Sequence, residues 1–221
     1  MNQHPSFNLR DPWVARIERR LYGLAARMDL GRARSSAWVR GIALGPHCRF
    51  YGQIRLRRAA YSTLEIGEKC TFRSARWSND IGLNRPCMIS TLGPEAVLRI
   101  GEGCGFSGTV IAAATSIVIG DSVACGANVT ITDTDWHGVQ PTRRHEPGDS
   151  SPVVIEDNVW IGLNVIVLKG VTIGRGSVIA AGSVVTSNIP AEVIAAGAPA
   201  KVIGQIPKHA GETGGQDQEG Q

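Results

Sequence analysis

Aromatic residues are scarce, at 5% of the chain, while glycine occurs twenty-seven times. That balance suits a narrow interior of Ile, Val, Ala and Ser, with corners where Gly or Asn takes unusual backbone angles. No C-x-x-C pair occurs among the five cysteines, Cys48, Cys70, Cys87, Cys104 and Cys125, and their number is odd. They read as structural thiols of a reducing cytoplasm. Met1 to Arg10 lacks the apolar stretch of a signal peptide, and no apolar run approaches the ~20 residues of a membrane span. A cytoplasmic location is therefore expected, and nucleic acid is not an expected partner. Acidic residues are rare at the start: residues 1–58 hold twelve arginines against three acids, and the remainder is net −5. The basic arm is either a solvated surface or a contact for anionic lipid or a phosphate-bearing substrate.

What is present is a period. From Ile155 the chain reads in sixes, IEDNVW, IGLNVI, VLKGVT, IGRGSV, IAAGSV, VTSNI. An aliphatic residue opens each: Ile155, Ile161, Val167, Ile173, Ile179 and Val185. Four residues on stands a second small or apolar one: Val159, Val165, Val171, Ser177, Ser183 and Ile189. A helix needs apolar spacing near 3.6, and a long amphipathic strand needs unbroken alternation. A fixed six predicts short strands separated by turns, the pattern of a parallel β-helix of hexapeptide repeats. Three sixes close one triangular coil, and coils stack on their neighbours.

Upstream, Asp11-Pro12 reads as a helix cap and first helical position. Trp13, Ile17, Leu21, Leu24 and Met28 then mark one face of a helix that Gly31 should end. That helix either packs on the solenoid or a neighbouring subunit, or lies at a membrane surface with its arginines outward. The six-fold pattern shows at Ile66 and Phe72, is interrupted over 74–95, and resumes at Ile100, Phe106 and Ala112. It then slips by one residue to Ile119, Cys125 and Ile131, which a corner tolerates and a strand does not. It fails again at TDTDWH, and His137 stands eighteen residues before Ile155, so this stretch is either an irregular coil or a protruding loop. Pattern failure at a cluster of ionisable residues marks function. The organisation read from the chain is an arm and helix at 1–35, a solenoid at 36–190, a cap at 191–208 and a disordered tail at 209–221.

VWIGLNVIVLKGVTIGRGSVIAAGSVVT followed by IAAGAPAKVIG closely resembles the hexapeptide-repeat acyltransferases, and TDTDWH resembles their branch that acylates sugars in polysaccharide biosynthesis. The resemblance covers about residues 64–204. It implies an all-β, left-handed parallel β-helix with a short N-terminal helix and a C-terminal cap. It also implies a homotrimer with sites between subunits, acetyl-CoA as donor co-substrate, and a saccharide acceptor. The left hand comes from the resemblance alone, since crossovers are ordinarily right-handed.

Acyl transfer to a hydroxyl needs a base, an oxyanion donor and a coenzyme groove, and histidine is the usual base. His137 matches the family's catalytic position. Asp133 and Asp135 either orient its imidazole or make ordinary turn hydrogen bonds. Trp160 lies between two inward positions and must point outward, towards a subunit or the coenzyme groove. By resemblance, Gly162, Leu163 and Ala181 offer backbone to the pantetheine arm, Thr186 lies further along, and Lys201 meets phosphate. Ser107 lies where relatives place a substrate or oxyanion contact, or is a turn residue. Gly197-Ala198-Pro199 replaces the usual Gly-Asn-Pro, and Ser187 stands where a lysine is common. Other readings are transfer to an amino sugar or another small molecule, a non-catalytic scaffold, or a γ-type carbonic anhydrase. The last needs three histidine ligands, and only His137 and His145 lie near one another, so no metal is expected.

Overall fold

The computed structural model describes residues 12–207. The chain winds into a left-handed parallel β-helix whose three faces carry sheets of six, eight and six strands. A rung is one strand from each face, as in Val97–Ile100, Gly105–Ser107 and Val110–Ala113. Each strand pairs in parallel with those one coil before and after it. All twelve inward positions read from the six-fold pattern between Ile155 and Ile189 are buried. Ser177 and Ser183 are tolerated inside because their hydroxyls donate to the carbonyls of Pro190 and Ala180, at 2.6 and 2.7 Å.

The interior is less uniformly aliphatic than the composition suggests. Phe50, Phe72 and Phe106 stand one above another on the second face, ring centroids 5.2 Å apart. Stacked strands repeat every ~4.8 Å, so residues in register necessarily stack their rings. At the edge between the first and second faces, the thiols of Cys48, Cys70 and Cys104 donate to Gly67, Gly101 and Gly120 carbonyls of the adjacent rung. All five cysteines are buried and free.

The N-terminal helix runs Pro12–Val39, past Gly31. Beyond that glycine the turn carrying Ala33 and Ala37 buries against the solenoid, which outweighs the local stop. The helix ends instead at Gly41, φ +62°, where the Gly41 and Ile42 amides bond back to Trp38 and Ala37. Asp29 accepts the Gly52 amide at 2.8 Å, and Tyr22 stacks on Trp77 at 4.5 Å. The stripe Ile17, Leu21, Leu24 and Met28 is exposed in the single chain. Asp11, the histidines His4 and His209, and the tail lie outside the described residues.

The interruption is narrower than 74–95. Met88–Thr91 already pairs with Arg55–Arg57, so only the preceding segment leaves the coil, at the edge between the second and third faces. Arg85 pins it, donating to the Asn128 carbonyl and the Thr130 hydroxyl at 2.7 Å each. The stretch after Ile131 is a loop and not a coil. Ser116–Ile119 pairs directly with Val153–Ile155, and Thr130–Thr132 with Ile166–Val167, so no rung is added. Val193–Gly197 and Ala200–Gln205 form an antiparallel hairpin that extends the second face at the C-terminal end.

Candidate active site

The loop leaves the edge between the third and first faces on a closed stem. Thr134 bridges Ser150, the Asp135 amide bonds the Asp149 carbonyl, and the Ser151 amide bonds the Asp133 carbonyl, both at 2.9 Å. A short 3-10 turn, Pro141–Arg143, forms its far end, and the Gly138 amide returns to the Glu146 carbonyl.

Asp133, 0% exposed, does not reach His137. Its Oδ1 accepts the Ala114 amide and its Oδ2 those of Thr115 and Ser116, all at 2.7 Å. These are the amides of the corner where the six-fold pattern slips by one. The lengthened corner leaves donors that no rung partner takes, and the carboxylate of the next rung takes them. Asp135 is likewise committed elsewhere, to an ion pair with Lys169 one rung on. The expectation that either aspartate orients the imidazole is corrected by these contacts.

The orienting group is a backbone carbonyl. His137 Nδ1 lies 2.9 Å from the Arg144 carbonyl oxygen. A carbonyl only accepts, so Nδ1 carries the hydrogen, and in the neutral ring the lone pair is then on Nε2. The His137 amide donates to the Asp135 carbonyl at 2.8 Å, fixing the ring's base as well. The imidazole is exposed and lines a cleft of about 610 Å³ between the loop and the rungs below, with Trp136, His145, Glu146, Arg57, Leu92 and Ala114. That volume is in the range of small-molecule sites.

The remaining predicted residues do not join His137 within one chain. Thr186 shares its edge, further along the tower. Ser107, Gly162, Leu163 and Ala181 lie at the edge between the second and third faces, with the width of the third face intervening. Trp160, 57% exposed, stands on the second face, and Lys201 is exposed on the terminal hairpin. Gly162 packs close to the next rung: a Cβ there would lie 2.6 Å from the Ala181 nitrogen, so this position admits no side chain. Ser107 is 7% exposed and its hydroxyl accepts from Asn79 Nδ2 at 3.1 Å, leaving its own hydrogen to donate. Reading the sequence missed Trp136, Arg57, Lys169 and the Arg144 carbonyl. Only Trp136, beside His137, carried a local signal.

A triangular tower of hexapeptide coils with a histidine loop on one edge defines a protein of the left-handed β-helix class. The chain carries the repeat of this class: residues 152–187 match the family model described as the hexapeptide repeat of succinyl-transferase. It is 39% identical over 153 residues to a galactoside O-acetyltransferase of Lactococcus lactis subsp. lactis (strain IL1403), covering 68% of this chain and 66% of that one. It is 45% identical over 91 residues to the galactoside O-acetyltransferase of Escherichia coli (strain K12), covering 41% of this chain and 45% of that one. The aligned parts thus span two thirds or less of these relatives' lengths. Among solved structures it resembles a hexapeptide-repeat-containing acetyltransferase from Vibrio cholerae, with TM-score 0.53, 25% identity, and coverage of 81% of this chain and 82% of that one.

Proposed function

We propose that this chain transfers an acetyl or other small acyl group from acyl-CoA to a hydroxyl of a saccharide, with His137 as general base. The observation that carries the reading is the fixed tautomer: Nδ1 is held by the Arg144 carbonyl, and Nε2 is exposed at a substrate-sized cleft. Nε2 takes the acceptor hydroxyl's proton as its oxygen attacks the thioester carbonyl. The tetrahedral intermediate collapses by expelling the coenzyme thiolate, which recovers that proton from the imidazolium. The products are the sugar ester and free coenzyme A thiol. Ser107 would donate to the oxyanion. Gly162, Leu163 and Ala181 would offer backbone groups to the pantetheine amides along that edge. Trp160 and Thr186 would flank that groove, and Lys201 would meet a phosphate.

These groups lie on different edges of one tower, which supports a homotrimer in which the His137 edge of one copy faces the Ser107 edge of the next. A folded monomer turning over at the full rate would overturn that arrangement. Among the described residues no helix is long and apolar enough to cross a membrane. The exposed helical stripe of Ile17, Leu21, Leu24 and Met28, with Arg16, Arg20 and Arg27 also exposed, supports a peripheral contact with anionic lipid in a cytoplasmic protein. Flotation with anionic vesicles that survives Leu21→Glu and Leu24→Glu together would exclude this use of the stripe.

The test of the reaction is thiol release from acetyl-CoA in the presence of saccharide acceptors. Wild-type protein should release thiol only with an acceptor, and His137→Ala should lower the rate roughly 10²–10⁴-fold. Undiminished turnover by His137→Ala would overturn the assignment.

A further inference from the structure

We infer that the cleft beneath the His137 loop is the acceptor site, and that Arg57 makes it selective for a saccharide carrying an anionic group, a carboxylate or a phosphate. The inference rests on the acyl-transfer reading for what is done to the acceptor, but not for what binds.

The third face lays out the cleft. Arg57 is in register with Ser90, Ser90 with Ala112, and Ala112 with Thr132, the last strand residue before the loop. Three strand spacings of about 4.8 Å put Arg57 about 14 Å along the edge from the root of the loop. The cleft spans that distance on the N-terminal side of the loop. The residues assigned to the donor, Gly162, Leu163, Ala181, Thr186 and Lys201, all belong to later rungs. The His137 loop therefore divides the tower, and the N-terminal cleft remains for the acceptor.

Its chemistry is specific. Arg57 is exposed to the cleft and has no ion pair or side-chain hydrogen bond among the described residues. The carboxylate that shares the cleft, Glu146, is already satisfied: Arg143 Nε and Nη2 both lie 2.7 Å from its Oε2. Within one chain the cleft thus carries one cation without a partner, whose planar fork matches a carboxylate or phosphate. Trp136 stands near the other end, 51% exposed, at φ 68°. A bulky side chain in the left-handed region is an outlier that persists only where its surroundings enforce it, and here the Thr134 hydroxyl holds the Trp136 amide at 3.2 Å. The indole offers an apolar face suited to the C–H face of a sugar ring, and Leu92, 37% exposed, lines the same cleft. The site thus reads as an aromatic platform beside the base and a cation more than one sugar ring away.

The experiment compares three acceptors matched in size: an oligosaccharide with a uronic carboxylate, one with a phosphate, and a neutral one. Thiol release is measured with wild-type, Arg57→Gln, Arg57→Lys and Arg57→Glu proteins. Binding is read separately from quenching of tryptophan fluorescence without donor. Wild type should favour an anionic acceptor, and which one it favours identifies the anion. Arg57→Gln should raise KM for that acceptor roughly ten- to a hundredfold with a smaller change in kcat. Arg57→Lys should recover part of the loss, and Arg57→Glu should favour the neutral sugar. Equal or better use of the neutral acceptor by wild type, or a uniform loss on all three in Arg57→Gln, overturns the inference. Arg57-dependent binding of anionic sugars without thiol release would sink the acyl-transfer reading and leave the site standing.

Discussion

Replacing Asp133 separates a structural role from a catalytic one. The buried carboxylate takes three backbone amides at 2.7 Å, and nothing else in the corner is placed to receive them. Each buried donor left without a partner costs about 1–3 kcal/mol. Partial relaxation and entering water reduce the sum, so Asp133→Ala should lose about 4 kcal/mol. For a chain of this size 1 kcal/mol moves the melting point about 2–4 °C, giving a fall of about 8–16 °C. Asp133→Asn should lose less in total, because its oxygen still accepts, but its NH2 group meets another donor and a deficit of about 2 kcal/mol remains. The assay is thermal unfolding followed by circular dichroism, with thiol release measured well below the transition. Were Asp133 the orienter of His137, the opposite pattern would hold, with lost kcat at unchanged stability. An Asp133→Ala protein that melts within about 2 °C of wild type refutes the account of the corner.

Other outcomes follow from the same geometry. Phe72→Ala removes the middle ring of a stack of three fully buried ones and should lose about 3–5 kcal/mol in urea unfolding, well beyond an Ile→Val change on the same rungs. His137→Ala, at an exposed site, should leave the melting point nearly in place while turnover collapses, and a large loss of stability would assign the residue to the fold. The Cys70 thiol is pushed up to about 12 by the neighbouring Cys104 thiol and by burial, so very little of it is thiolate at pH 8. Aromatic disulfide reagents should therefore label it only on unfolding, and rapid stoichiometric labelling of the folded protein would contradict this.

The coil register was legible because it is local. The inward positions from Ile155 to Ile189 follow from a six-residue period, and each coil needs only its neighbours to bury them. The helix end was not legible: the stop signal at Gly31 is overridden by burial of Ala33 and Ala37 against the solenoid, which is not visible in the chain. The phenylalanine column was half visible: Phe72 and Phe106 sat at inward positions, but their register depends on how many residues each excursion removes from the coil.

The sequence by itself determined the tower, the histidine and the place where the pattern breaks, since each is a matter of residue type at short spacing. Only the tertiary structure decided what the aspartates do, which group holds the imidazole and which cation reaches the cleft. Asp133 meets amides seventeen to nineteen residues away, and Arg57 shares a cleft with the loop across three rungs. Such contacts depend on coil stacking and on the loop between Thr132 and Val153 returning to the same edge, and no local spacing encodes that return.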